Sequence, residues 1–402
     1  MKFRKFMRMA GLLVLAVVMA TGCGGGGGGG GDTGDDENGD DGTIKVGLIG
    51  PFTGAVAEYG IAVRDGAMLF IEQYNDAGGV DGKQIEAFFY DDEHDPIKAL
   101  TGYNFLLDQD VTAIIGGVTS GPTMAIVPEG FADNMPMITA SATAAGVTYD
   151  EENDIVFTNM FRSCFIDPFQ GEKMADFAQN VLGAKTAGVI FNTGVDYSIG
   201  LKDAFLEKAE AIGLTVVANE AYANEAVDFQ SQLTNIAAAN PDVLFVPDYY
   251  QVVALLSLQA RNAGVGATLL GADGWDTVVD IMADRAPVEG SFYCSGYSTE
   301  DDTPMVQEFL RAFVDRYGHE PNMFAAQGYD AAMILVAALE VAEQSGHEHG
   351  SDAYRTAIIN AMAATDLEGV TGHITYDRFN NPIKSAVIIE VSDGMARFWG
   401  KY

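Results

Sequence analysis

The stretch Ile44-Lys-Val-Gly-Leu-Ile-Gly50, followed by Val63, Ala67, Phe70, Ile71 and Tyr74, decides the fold. The first segment, apolar but for Lys45, reads as a buried strand. The second places apolar residues three and four apart, the stripe of an amphipathic helix. The pair then repeats: strand 84–90 with helix 96–107, strand 112–116 with helix 122–132, and a short strand 136–139. A second set begins at strand 187–191, with a helix carrying Leu201, Phe205, Ala209 and Ile212, then strand 214–218 and a helix near 229–239. Strand 243–247, helix 252–263 and strand 268–270 complete it. Strands apolar on both faces and alternating with helices predict parallel sheets covered on both sides. Two such sets predict an α/β chain of two doubly wound lobes. In these folds ligands bind at the carboxyl ends of the strands, where loops meet helix N-termini.

Length agrees with that count, since Thr43 to Tyr402 at roughly 150 residues per domain makes two. Before Thr43 the chain is different. Lys2, Arg4, Lys5 and Arg8 precede an apolar run from Met9 to Ala20, the small pair Thr21-Gly22, and Cys23. A basic head, a short apolar core and small residues describe a secretory signal over residues 1–22, too short for a stable membrane span. The cysteine that follows resembles a bacterial lipobox, which implies lipid attachment at Cys23. The glycine run and the tract Asp-Thr-Gly-Asp-Asp-Glu-Asn-Gly-Asp-Asp up to residue 42 suit a flexible tether. The expected location is outside the cytoplasm, anchored by lipid to the cell membrane. No second apolar run is read as reaching the length of a span.

The formal charge is −35, and removing the leader, with four basic residues and no acid, takes it to −39. Such a surface repels phosphate backbones and anionic headgroups, which excludes nucleic acid as a partner. Beyond Cys23 only Cys164 and Cys294 remain, without the Cys-x-x-Cys spacing of a zinc or thiol-exchange site.

The loops after the strands carry the chemistry. Gly117-Val-Thr-Ser-Gly-Pro-Thr123 leads into a helix, and its hydroxyls and free amides suit an anion such as a carboxylate. Ala140-Ser-Ala-Thr-Ala144 ends the neighbouring strand in the same way. In the second set the equivalent ends carry Asn192 to Tyr197, then Asp248-Tyr-Tyr250, then Gly271-Ala-Asp-Gly-Trp-Asp276. Tyrosines and a carboxylate suit a cation beside apolar surface. One wall for a carboxylate facing another for an ammonium is the chemistry of a free amino acid.

Several stretches then match a known pattern in order: Gly50-Pro-Phe-Thr-Gly54 with Tyr59-Gly60, Asn75-Asp-Ala-Gly-Gly-Val80, and Tyr90-Asp-Asp-Glu-His-Asp-Pro96. Met137-Ile-Thr-Ala-Ser-Ala-Thr143, Phe161-Arg-Ser-Cys-Phe-Ile-Asp-Pro-Phe-Gln-Gly171 and Gly271-Ala-Asp-Gly-Trp275 extend it. The chain thereby resembles the branched-chain amino-acid-binding proteins of ABC importers, the type I periplasmic solute receptors, over essentially all of 43–400. The resemblance implies that the ligand carboxylate is held by Ser120 and Thr143, with main-chain groups at Ser141. It implies that the ammonium meets Asp273, beside Tyr197 and Tyr249, and that Tyr59 lines the side-chain pocket. It further implies a three-segment hinge, with crossings near 162–165, 293–296 and 387–389. One lobe then comprises 43–163 plus 296–386, the other 164–295 plus 387–402. A monomer delivering a small amino acid to membrane permease subunits, without a cofactor and without catalysis, is the expected function. Alternatives are a sensor subunit of the same fold or a receptor for an amide or aromatic carboxylate.

Two departures accompany the resemblance. Positions that carry a disulfide in well-known members correspond to His94 and Thr119, so that bridge is absent, and Cys164 and Cys294 fall where the chain crosses between lobes. Trp275 and Asp276 either add to the site or cap the next helix. Other candidates are weaker. The acids of Asp91-Asp-Glu-His-Asp95 precede Pro96 as a helix start does, rather than forming a metal site. Gly346-His-Glu-His-Gly350 has two histidines and no third ligand nearby. Neither a Gly-x-Ser-x-Gly elbow nor a phosphate-cradling lysine loop is present.

Overall fold

The computed structural model describes residues 42–402. The leader, Cys23 and all but the last residue of the tether lie outside the described residues.

The first sheet is parallel throughout, in the order β2-β1-β3-β4-β7. It contains β1 (Thr43–Gly50), β2 (Gln84–Asp91), β3 (Ala113–Ile115), β4 (Met137–Thr139) and β7 (Met160–Arg162). A small hairpin of β5 (Tyr149–Asp150) and β6 (Ile155–Val156) lies between the last two in sequence. Helices α1 (Ala57–Asp76), α2 (Pro96–Asp108) and α3 (Ser120–Ala132) connect the strands. Strand side chains alternate between two cores: Val46, Leu48, Ala113 and Ile115 enter one, Ile49 and Ile114 the other with Tyr103 and Leu106 of α2 and Ile126 of α3. Both faces are thus apolar, which is why these strands read as continuous runs. Asp95 starts α2 by accepting the amides of Ile97 and Lys98 at 2.7 and 3.1 Å, with Pro96 in the first turn.

The second sheet has the order β16-β15-β12-β11-β10-β8-β9. It contains β8 (Thr186–Asn192), β9 (Thr215–Tyr222), β10 (Val243–Phe245), β11 (Thr268–Gly271), β12 (Phe292–Ser295), β15 (Val387–Ser392) and β16 (Met395–Lys401). Its helices are α4 (Asp167–Asn180), α5 (Asp196–Ile212), α6 (Gln230–Ala239), α7 (Tyr250–Asn262) and the short α8 (Val278–Ile281). Strands β8 to β12 are parallel, as the alternation predicts; β15 and β16 add an antiparallel edge. For the β15–β16 pair the antiparallel sense follows from connection length. Only two residues separate β15 from β16, which permits a hairpin and no crossover helix.

The segment between the two passages of this sheet returns to the first lobe. It forms α9 (Pro304–Tyr317), α10 (Met323–Glu343), α11 (Asp352–Ala363) and the pair β13 (Asp366–Gly369) and β14 (Gly372–Thr375). The chain therefore crosses between the sheets three times: after β7, after β12 and before β15. The crossings are tied together, since the Lys384 ammonium donates to Ser163 O at 2.6 Å and lies 3.9 Å from the buried Asp330 carboxylate. Helix α10 lies against α1 at glycine contacts: a Cβ on Gly66 would stand 1.9 Å from Ala325 O, and one on Gly328 2.2 Å from Val63 O. Close approach there carries the start of α10 over the start of α1. Helix α10 also corrects an expectation, because it is long and apolar enough to cross a membrane. Most of it is buried in this protein, which makes it a core helix.

Candidate functional site

The site begins with two loops of the first lobe. Thr119 is the extended residue before α3, and Ser120 opens the helix, so the amides of Ser120 and Gly121 have no partner along the helix. The Ser120 hydroxyl accepts the Ala144 amide at 3.2 Å, and its own proton remains available. Ser141 donates its hydroxyl to Val118 O at 2.7 Å. Thr139 donates to Gly117 O at 2.6 Å while accepting the amides of Ser141 and Ala142. These bonds join the two loops into one rigid wall. Arg162 braces it from behind: buried, it donates to Ala142 O, Ala144 O and the Thr148 hydroxyl.

The facing wall is built around Asp273. Its Oδ1 accepts the Tyr197 hydroxyl at 2.7 Å and the Gln170 amide at 3.0 Å, and Gln170 Oε1 accepts the Asp273 amide at 2.9 Å. Tyr197 in turn accepts the Gly274 amide at 2.8 Å. Burial pushes the Asp273 carboxyl up to about 6 against the lowering effect of these donors. Tyr249 stacks on Tyr197 with centroids 4.9 Å apart and planes 11° from parallel. Tyr59 closes the space from the first lobe. Its hydroxyl donates to Gly274 O at 2.6 Å and accepts the Tyr250 amide at 3.1 Å, while its ring stacks on Phe324 at 4.1 Å.

One small pocket collects Tyr59, Ser120, Ser141, Tyr197, Tyr249 and Asp273, together with Val118, Thr119, Gly274 and Phe324. Thr143 is not among its lining residues. It sits just behind, buried, with its hydroxyl unpartnered among the described residues and its carbonyl accepting the Asp167 amide at 2.9 Å.

Asp167 is a site residue that no sequence motif marks as one. It is fully buried, and neither carboxyl oxygen has a hydrogen-bond partner among the described residues. Burial first, and the Asp273 charge as well, push its carboxyl well above the ordinary carboxylate range, while the neighbouring Thr143 hydroxyl and, more weakly, Arg162 pull the other way. Gly200 leaves the room it occupies, since a Cβ there would lie 3.0 Å from Asp167 Oδ2. Because Asp167 precedes a proline at the start of α4, the sequence reads as a solvated helix start. Phe324 was missed too, because it lies in an apolar helix that reads as core.

The His94 ring nitrogen lies 2.8 Å from the Thr119 hydroxyl, so a hydrogen bond joins the two positions that the resemblance matches to a disulfide. The same ring meets Tyr249 of the other lobe edge-on at 5.5 Å. Cys164 and Cys294 are buried free thiols. Trp275 is core, fully buried with its indole donating to Val246 O at 2.8 Å. Of the acids before Pro96, Asp91 accepts the amides of Phe52 and Thr53, and Asp95 caps α2.

The fold agrees with comparison to known proteins, in which residues 43–395 match the model of the periplasmic binding protein family. The chain belongs to that family. It is 29% identical over 336 residues to a leucine-, isoleucine-, valine-, threonine- and alanine-binding protein of Pseudomonas aeruginosa, covering 83% of this chain and 86% of that one. Among solved structures it is similar to a leucine-binding protein of Thermotoga maritima: 31% identity, TM-score 0.80, 89% of this chain and 98% of that one. A solute-binding protein of an ABC transporter from R. palustris, solved with benzoate, is 26% identical with TM-score 0.78 over 89% of this chain and 96% of that one. Membership makes this periplasmic binding protein an extracytoplasmic solute receptor with the two-lobed type I fold.

Proposed function

We propose that this protein is the substrate-binding lipoprotein of an ABC importer, capturing a small amino acid, branched-chain or related, between its lobes and delivering it to the permease. The observation that carries the reading is the opposition of two walls in one pocket. Ser120 and the open first turn of α3 offer hydrogen bonds to a carboxylate, and the buried carboxylate of Asp273 faces them with Tyr197 and Tyr249. In this reading Thr143 and Asp167 extend the two walls: the threonine toward the carboxylate, the aspartate as a second acid for the ammonium. Tyr59 and Phe324 bound the ligand side chain. Names of relatives that bind leucine, isoleucine and valine support the ligand class. Anchoring through Cys23, a monomeric state, the lobe boundaries at 163/164, 295/296 and 386/387, and the absence of turnover belong to the same proposal.

A second reading has one observation in its favour. The neighbour solved with benzoate shares the fold at 26% identity, and an aromatic carboxylate suits the rings of Tyr59, Tyr249 and Phe324. Calorimetric titration with leucine, alanine, isocaproate and benzoate separates the two. The amino-acid reading expects leucine or alanine to bind far more tightly than isocaproate. Preference for benzoate or isocaproate would overturn it.

A further inference from the structure

Asp276 is not among the residues that line the pocket, yet it ties the pocket's two sides together. Its Oδ1 accepts the Thr277 amide at 2.9 Å, and its Oδ2 accepts the amide of Met323 at 2.8 Å. Met323 is the first residue of α10 and belongs to the other lobe. Its amide is one of the helix's open donors, and the positive end of a 21-residue helix favours an anion there. The next residue, Phe324, stacks on Tyr59, whose hydroxyl donates to Gly274 O. Gly274 lies two residues before Asp276, in the turn that holds Asp273. The contacts thus form a closed circuit from Asp276 through Met323, Phe324, Tyr59 and Gly274 back to Asp276, crossing between the lobes twice.

The backbone beside this tether is held under strain. Thr277 adopts φ of 71°, an uncommon conformation for a β-branched residue, and its buried hydroxyl has no partner among the described residues. Asp276 accepts the Thr277 amide directly. Without the carboxylate, neither the loop geometry nor the first turn of α10 keeps its acceptor.

We propose that Asp276 is a positioning residue for ligand capture, setting the distance between the Asp273 turn and the Phe324–Tyr59 wall. The proposal rests on the amino-acid reading of the pocket. Phe324 and Tyr59 bound the side-chain end of the ligand, whereas Asp273 faces its ammonium. The tether therefore sets how long a side chain fits between them, and its loss alters discrimination as well as affinity.

The test compares Asp276→Ala and Asp276→Asn with the parent by titration with leucine and alanine, and by amide hydrogen exchange over residues 323–325 without ligand. Asp276→Ala should lose about tenfold in leucine affinity, the size of one hydrogen bond to a charged group, and less in alanine affinity. The leucine-to-alanine ratio then shrinks, and exchange at Met323 accelerates. Asp276→Asn keeps one of the two acceptors and turns its NH2 toward the other amide, so it should lose affinity too, by no more than Asp276→Ala does. Unchanged exchange at Met323 in Asp276→Ala overturns the tether. So does an unchanged leucine-to-alanine ratio. A parent that binds neither amino acid overturns the amino-acid reading instead, while the exchange measurement still decides the tether.

Discussion

The phenol of Tyr197 donates to Asp273 Oδ1 at 2.7 Å and accepts the Gly274 amide at 2.8 Å, so one side chain fixes both the carboxylate and the turn that carries it. With Gln170 on the same oxygen, Asp273 is oriented before any ligand arrives. Preorganisation of this kind lets a charge-assisted bond stabilise the complex without first ordering the acid. Asp273→Asn keeps the shape and removes the charge. Amino-acid affinity should fall by one to two decades, from about 1.5–3 kcal/mol for a hydrogen bond to a charged group. The deaminated carboxylic acid of the same skeleton should lose far less. Titration of both ligands checks this, and equal losses would remove the ammonium from Asp273.

Closure draws on Tyr59, whose hydroxyl spans the lobes to Gly274 O and to the Tyr250 amide. Only the closed arrangement completes these bonds, so they favour closure together with the ligand. Tyr59→Phe retains the stack on Phe324 and loses both bonds. An affinity loss of about tenfold is expected, from roughly 0.5–1.5 kcal/mol per bond. Solution scattering of the saturated variant should show a less compact particle than the saturated parent. Identical curves and identical affinities would show that the hydroxyl is incidental.

Much of this arrangement was legible in the sequence, for a physical reason. Strands buried on both faces must be apolar throughout, so the runs at 44–50 and 187–191 announce themselves, and their loops point to the pocket. Tyr59, Ser120, Ser141, Tyr197, Tyr249 and Asp273 sit at such loop or helix starts and meet in one pocket. What the sequence hid depends on contacts distant along the chain. Asp167 and Asp276 look like ordinary helix starts, and only the packing of α5 over one and α10 over the other shows what they face. Phe324 is indistinguishable from its apolar neighbours by periodicity. Thr143 has the right type and lies one layer behind the lining.

Stability should depend on pH in an unusual direction. Burial pushes Asp273 and Asp248 up to about 6, and Asp92 and Asp276 up to about 7. Each folded value lies above the ordinary carboxylate value near 3.9, so between about pH 4 and pH 7 the folded chain binds more protons than the unfolded one. The stability these protonated acids contribute is present at low pH and lost as pH rises through 6 to 7. Self-repulsion of the acidic surface acts in the same direction. Urea unfolding of the unliganded protein should therefore give a higher midpoint at pH 5 than at pH 7.5. Asp248→Asn should flatten the difference. A midpoint that rises steadily over this range would contradict the burial of these acids.

Asp167 gives the sharpest test, because affinity and stability should move in opposite directions. Its carboxyl is fully buried, both oxygens lack partners among the described residues, and the Asp273 charge opposes its ionisation. An uncompensated buried acid costs the unliganded fold, and a ligand ammonium would supply the missing donor. Asp167→Asn removes the ionisable proton and no other polar atom, so it should stabilise the unliganded protein by an amount that grows as pH rises and the parent acid ionises. The same substitution should weaken amino-acid binding about tenfold and leave the deaminated carboxylic acid nearly unaffected. Denaturant unfolding and paired titrations measure the three quantities on one variant. A stabilised variant that binds the amino acid as tightly as the parent would make Asp167 a protonated core residue, leaving the ammonium to Asp273 alone.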